Sequence, residues 1–263
     1  AGIGKGESAN ETLRKARDAA QTLLDPQQRA LAHVTLAHTH AQFKQITQAE
    51  AALEQAEAAL EKMDRTVGLV VWPKVAHVYA MLPEQRHKQK ATDTILKTRE
   101  ILPGAVDFVK TGVLLAVAEA EYVLSHREAS VEALHEAAKT LPSGSDFLEA
   151  RVLGLLNIVT TQAAIEGRDA ALSTIRQAVL DARGIASKTT RVQMLAAIST
   201  AQVRLGDKPS AKNSLAEAQK VGAIIKKDSN RDRVAAAVAR AKAALRQFDE
   251  AEQLLASNHT GTW

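Results

Sequence analysis

The chain contains no cysteine, which excludes disulfides, a thiol nucleophile and any thiolate-held metal. Aromatic residues are nearly as scarce, with two Trp, two Tyr and four Phe in 263 residues. Phe248 is the only aromatic between positions 148 and 262. Long apolar runs are missing too. The stretch Val113-Leu114-Leu115-Ala116-Val117-Ala118 is broken by Glu119 and Glu121, so no segment approaches the ~18 apolar residues of a membrane-crossing helix. Only six prolines interrupt the chain. What fills the space is alanine, 50 residues of it, the side chain that loses no rotamer entropy in a helix. With 46% hydrophobic and 24% charged residues the composition is globular rather than disordered, and the fold class is expected to be all-α.

Charge is unevenly spread. Residues 1–187 sum to −2 and residues 188–263 to +6, so an anionic partner would favour the C-terminal third. The chain opens Ala1-Gly2-Ile3-Gly4-Lys5-Gly6 without methionine and without a signal-peptide pattern. That start fits a processed product, a cloning scar or an excised fragment. With the missing cysteines it favours an exported or periplasmic protein over a cytoplasmic one.

The internal order lies in a repeat. The pattern A-x-x-x-L-x-x-A, with small or apolar substitutes, recurs at Ala9/Leu13/Ala16, Ala49/Leu53/Ala56, Ala91/Ile95/Thr98 and Ser130/Leu134/Ala137. It continues at Ala171/Ile175/Ala178, Ala211/Leu215/Ala218 and Ala251/Leu255/Asn258. The central apolar residue steps by 40, 42, 39, 41, 40 and 40 positions. Residues at i, i+4 and i+7 share one helical stripe, so each unit predicts a helix, B, that buries this stripe. A second column, Leu36, Val78, Val117, Ile158, Ile198 and Val238, keeps the same step and predicts a preceding helix, A. Turns from A to B are expected at Lys44–Ile46, Ser125–Arg127, Glu166–Arg168, Gly206–Lys208 and Arg246–Phe248. Connections from B to A contain Asp25-Pro26, Leu102-Pro103-Gly104, Leu141-Pro142-Ser143-Gly144 and Lys227-Asp228-Ser229-Asn230. The expectation is one leading helix plus six hairpins, about 13 helices over residues 9–256, with a flexible leader at 1–8 and a tail at 257–263.

Leu205-Gly206-Asp207 followed by Ala211, Leu215 and Ala218 resembles the tetratricopeptide repeat, whose second helix starts with a small residue after a Gly-Asp-type turn. The period of 40 instead of the usual 34 resembles that family's longer-helix variants, and helix A lacks the large aromatic of its signature. The resemblance implies a right-handed superhelical solenoid that binds protein partners on a concave face lined by helix A.

No chemistry-bearing motif accompanies the repeat. The eight histidines show no H-x-x-H, H-x-x-x-H or H-E-x-x-H spacing. His33 and His40 stand two helical turns apart, and the histidines are read as scattered on the surface. Gly2-Ile3-Gly4-Lys5-Gly6-Glu7-Ser8 lacks the spacing and preceding strand of a phosphate loop. Asn10-Glu11-Thr12 and Asn258-His259-Thr260 are short enough to be chance sequons. No enzyme, metal or cofactor is expected. Nucleic acid would find cations at Lys220, Lys226, Lys227, Arg231, Arg233, Arg240, Lys242 and Arg246, but no aromatics to stack on.

The face of helix A opposite its apolar column is the candidate binding surface. It reads His38 and Gln42 (with Thr35), then His77 and Glu84, then Glu119, then Asn157 and Thr160. It continues with Gln193, Ala197, Thr200 and Arg204, and ends with Arg233 and Arg240. This surface is polar, acidic at its middle and cationic at its end. The sequence therefore predicts a non-catalytic interaction scaffold for a protein or peptide, with an acidic segment towards the C-terminal repeats. The alternative is an electrostatic binder of an anionic polymer or nucleic acid through the basic C-terminal repeats. Self-association through an uncovered terminal repeat is a further expectation, because Leu254, Leu255 and Trp263 have no following helix to cover them.

Overall fold

A computed structural model of the chain describes residues 3–225 and 228–259. All regular structure among them is helical. The helices are α1 (Ile3–Thr22), α2 (Pro26–Gln42), α3 (Ile46–Leu60), the single turn α4 (Arg65–Gly68), α5 (Trp72–Met81), α6 (Gln85–Ile101), α7 (Asp107–Val123) and α8 (Arg127–Lys139). They are followed by α9 (Leu148–Ile165), α10 (Arg168–Gly184), α11 (Lys188–Arg204), α12 (Lys208–Gly222), α13 (Asp228–Ala244) and α14 (Phe248–His259). Two short 3-10 turns lie at Leu102–Gly104 and Ser145–Phe147. Apart from α4, the thirteen helices are the leading helix and six hairpins that the period requires. The tail from position 260 and Trp263 lie outside the described residues.

The chain packs as two compact units, residues 1–137 and 138–263. In the first, α2 packs on α3 and α5 on α6 as hairpins, and the leading members α2, α5 and α7 also pack on one another in sequence. In the second, α9 packs on α10, α11 on α12 and α13 on α14, while α11 lies against both α9 and α13. Burial follows the two columns. Leu36, Val78, Val117, Ile158, Ile198 and Val238 are all buried, as are the helix-B triplets around Leu53, Ile95, Leu134, Ile175 and Leu215. The two terminal triplets differ. Ala16 on α1 is exposed and Leu255 on α14 is 43% exposed, because each lacks a neighbouring hairpin on one side.

Small residues let the two helices of a hairpin approach closely. At their crossing, the Ser130 hydroxyl of α8 donates to the Ala118 carbonyl of α7 at 2.8 Å. In the fifth hairpin the direction reverses, and Ser199 of α11 donates to the Ala211 carbonyl of α12, also at 2.8 Å. Positions 118 and 199, and 130 and 211, are equivalent in the repeat, so one contact is made from either side.

Five of the six A-to-B turns reuse a single device. Lys44, Ser125, Gly167, Gly206 and Arg246 take positive φ (59°, 67°, 99°, 77° and 64°). At four of them the next residue returns a 6→1 bond to the helix: Gln45 to His40, His126 to Glu121, Asp207 to Gln202 and Gln247 to Lys242, all 2.8–2.9 Å. At the fifth, Gly167 itself donates to Gln162 at 3.2 Å. The second hairpin is the exception, since Leu82-Pro83-Glu84 joins α5 to α6 and proline fixes its φ negative.

Side chains cap the starts of α2, α4, α11 and α12. Asp25 accepts from the Gln27 amide at 2.7 Å, with Pro26 as the first helical residue. Asp207 accepts from Ser210, and Ser187 from Thr190. Four residues into α2 and α11, Arg29 and Arg191 fold back onto the Leu23 and Ile185 carbonyls, at 2.8 and 2.9 Å from Nε. The fourth residue is basic in α7, α9 and α13 as well, at Lys110, Arg151 and Arg231. On α9 it serves a different partner: Arg151 forms a two-pronged ion pair with Asp181 of α10, which is 4% exposed.

Candidate functional site

The candidate surface is built by α2, α5 and α7 in the first unit and by α9, α11 and α13 in the second. Once each helix turns its apolar column inward, positions about half a turn away, such as i+2, face out. Glu119, Asn157, Thr160, Arg204, Arg233 and Arg240 are exposed, and His38, His77, Gln193 and Thr200 are half-buried. Gln42 is the last residue of α2 and is exposed. Glu84 departs from the expected placement. The helix stops at Met81 ahead of Pro83, so Glu84 sits in the turn before α6 and pairs with Arg86 at 2.7 Å. It belongs to the edge of the hairpin, not to a helix face.

In the first unit the surface gathers imidazoles. The His38 and His77 rings lie 5.9 Å apart between centroids, tilted by 31°. Burial holds the His77 imidazole below the ordinary histidine pKa, with the Glu119 carboxylate pulling it back up and His38 pushing it down. The His77 Nδ1 is buried without a hydrogen-bond partner. No group of three or more potential ligands is arranged to hold a metal ion among the described residues.

The second unit forms a cavity of about 810 Å³ on its own first-helix surface. Six polar residues of the expected surface line it: Asn157 and Thr160 from α9, Gln193, Thr200 and Arg204 from α11, and Arg240 from α13. The structure thus brings together residues that are 40 and 80 positions apart in the chain, while Arg233 stays outside the lining. Between the polar groups lies an apolar floor that includes Leu156, Val159, Met194, Ala197, Ala201 and Ala237. The charged groups of the lining are two guanidiniums, and it contains no carboxylate. The volume falls within the ~300–1,000 Å³ typical of ligand clefts.

Two features escaped the sequence reading. The histidines are not all on the surface: His33 is 2% exposed and His87 1%. His33 is buried in α2 beside Arg29, and burial first, then the Arg29 charge, lowers its pKa. His87 packs parallel to Tyr79 and meets Glu50 at 2.6 Å. Its place in the core follows from the hairpin turn, which aims the third residue of α6 at α3. That bond, more than the Arg86 charge, holds the Glu50 carboxyl below its usual range. The second missed feature is a polar column at His40, Glu121, Gln162, Gln202 and Lys242, which stands four residues before the left-handed residue of the turn, or five at Gln162, and keeps its spacing though not its chemistry. Four of these side chains bond to polar partners in or just beyond the turn: His40 to Gln45, Glu121 to His126, Gln162 to Glu166 and Lys242 to Glu250. A fixed step of 40 or 41 between the last four was the available signal, but the pattern hid because the residue type changes each time. It also means that Lys242, 8% exposed and paired, is not part of a free basic surface. Lys226 and Lys227 lie outside the described residues.

No protein-family model matches the chain, and no curated protein matches it in sequence. The chain is a helical-hairpin repeat by its own periodicity and packing.

Proposed function

We propose that this chain is a non-catalytic scaffold, similar to tetratricopeptide-repeat proteins, that binds a segment of a partner protein on the face formed by the first helix of each hairpin. The observation that carries this reading is the cavity on α9, α11 and α13, where six polar residues from the first helices of three hairpins, Thr160, Thr200 and Arg240 among them in one repeat phase, converge on an apolar floor. A cleft with a few placed polar groups over an apolar floor suits a bound segment. Its chemistry suits binding better than catalysis. The charged groups lining it are guanidiniums, which neither take up nor give up a proton near neutral pH and so serve as no general base or acid.

The test is site-specific photocrosslinking in extract of the source cells. A benzophenone side chain is placed at Ala197 or Thr160 in the groove, and at exposed Lys212 on α12 outside the lining. The reading expects one discrete protein adduct at the groove positions, mapped to a single segment of that partner, and none at Lys212. Equal labelling at all three positions, or no protein adduct in the groove, rejects it. Binding that follows only salt concentration, with log K falling linearly in log salt and no dependence on the groove, would transfer the function to an anionic polymer.

A further inference from the structure

We infer that the segment held in this groove is an acidic peptide of small residues, with a carboxylate set against Arg204 and Arg240 and Ala-, Gly- or Ser-sized side chains lying on the Ala197 and Ala237 floor. The inference rests on the scaffold reading and adds the partner's chemistry to it.

Charge comes first. Elsewhere in the same unit, arginines with a carboxylate in reach engage it, as Arg151 does Asp181 and Arg183 does Glu217. Arg204 and Arg240 line one cavity, and among the described residues neither meets a carboxylate; Arg240 Nε donates only to the Ala236 carbonyl of its own helix, at 3.2 Å. A guanidinium presents five donors in a planar fork, matched two at a time by a carboxylate. An occupant that carries a carboxylate would complement both. No lining residue is acidic, so nothing in the cavity competes with it.

Shape and hydrogen bonding narrow the class. The floor between α11 and α13 ends at β-carbons, Ala197, Ala201 and Ala237, so a ligand's main chain can come close only if its own side chains are small there. Asn157 and Gln193 each offer one amide donor group and one carbonyl acceptor. A peptide bond complements both at once. A phosphate backbone supplies acceptors alone, and the lining has no aromatic side chain on which a base could stack. These observations favour an acidic polypeptide over a nucleic acid.

The test uses the full-length chain and a phage-displayed library of random dodecapeptides. Selection on the native protein is counter-selected on Thr160→Trp, which fills the cavity from an exposed position; Ala197→Trp is the second filling variant, and circular dichroism checks that both remain helical. Enriched peptides are expected to place Asp or Glu next to Ala, Gly or Ser. They should bind at least about tenfold more weakly to Arg204→Gln/Arg240→Gln, and equally more weakly when their own acid is changed to the amide. Both guanidiniums are exposed, so this loss should shrink as salt is raised. If the enriched peptides are acid-free and ignore the arginine changes but are lost with both filling variants, the groove reading stands and the acidic inference is overturned. If no peptide depends on the filled cavity, both fall. If heparin binds equally to native and filled proteins and displaces the peptides, surface charge alone accounts for binding and the inference is likewise overturned.

Discussion

His33 shows how a residue that looks like surface decoration becomes a stability determinant. It is 2% exposed, its Nδ1 has no hydrogen-bond partner, and burial beside Arg29 keeps the ring neutral. In the unfolded chain the same imidazole protonates near its ordinary value of 6.5. The folded state therefore keeps its full stability above about pH 6.5 and loses it as pH falls below that value, because only the unfolded chain gains the proton readily. His77 contributes in the same direction. Thermal melts from pH 8 to pH 5 should show this decline. His33→Leu should flatten it by the equivalent of about one bound proton, and an unchanged slope would show that His33 is not the group that titrates. In sequence, His33 is one of eight histidines without metal spacing. Only the packing of α2 against its neighbours distinguishes it from exposed ones, and that depends on contacts remote along the chain.

At the scale of the element, helices were legible because alanine stripes and apolar columns repeat at helical spacing. The five expected A-to-B turns fall where the spacing put them. Their geometry was only partly legible. Glycine advertises a left-handed residue at 167 and 206, but Lys44, Ser125 and Arg246 take the same conformation without it. The closing bonds back to the helix and the packing of the next helix impose it, at a local cost of about 1 kcal/mol per non-glycine residue. Lys44→Gly and Arg246→Gly should each raise stability by up to about 1 kcal/mol in urea melts, with Phe43→Gly, at the right-handed neighbouring position (φ −85°), lowering it. A fall in stability for both left-handed positions would contradict the strain assignment. Leu82-Pro83-Glu84 is the converse case. Proline excludes the left-handed turn, shortens α5 to ten residues, and displaces Glu84 from the face where simple periodicity had put it.

Across the molecule, stability should be graded. Interior hairpins bury both columns, whereas α1 and α14 leave their stripes partly uncovered. In a stack of repeats each unit is held by its neighbours, so the ends open first. Hydrogen exchange should be slowest in α5, α7, α9 and α11 and fastest in α1 and α14; protection in α14 equal to that in α11 would require something to cover Leu255.

The sequence by itself determined the helical class, the forty-residue period, the number of long helices and which stripe of each is buried. These rest on local propensity and on spacing along one chain, which a repeat states many times over. It also marked, by phase alone, the residues that could face a partner. Tertiary structure decided which of them meet. Asn157, Thr160, Gln193, Thr200, Arg204 and Arg240 line one open cavity, Arg233 and Glu84 stay outside it, and His33 and His87 turn inward. The physical reason is that burial and convergence depend on how side chains from different hairpins fill shared space. Periodicity assigns a residue to a face, and only packing assigns it a neighbour.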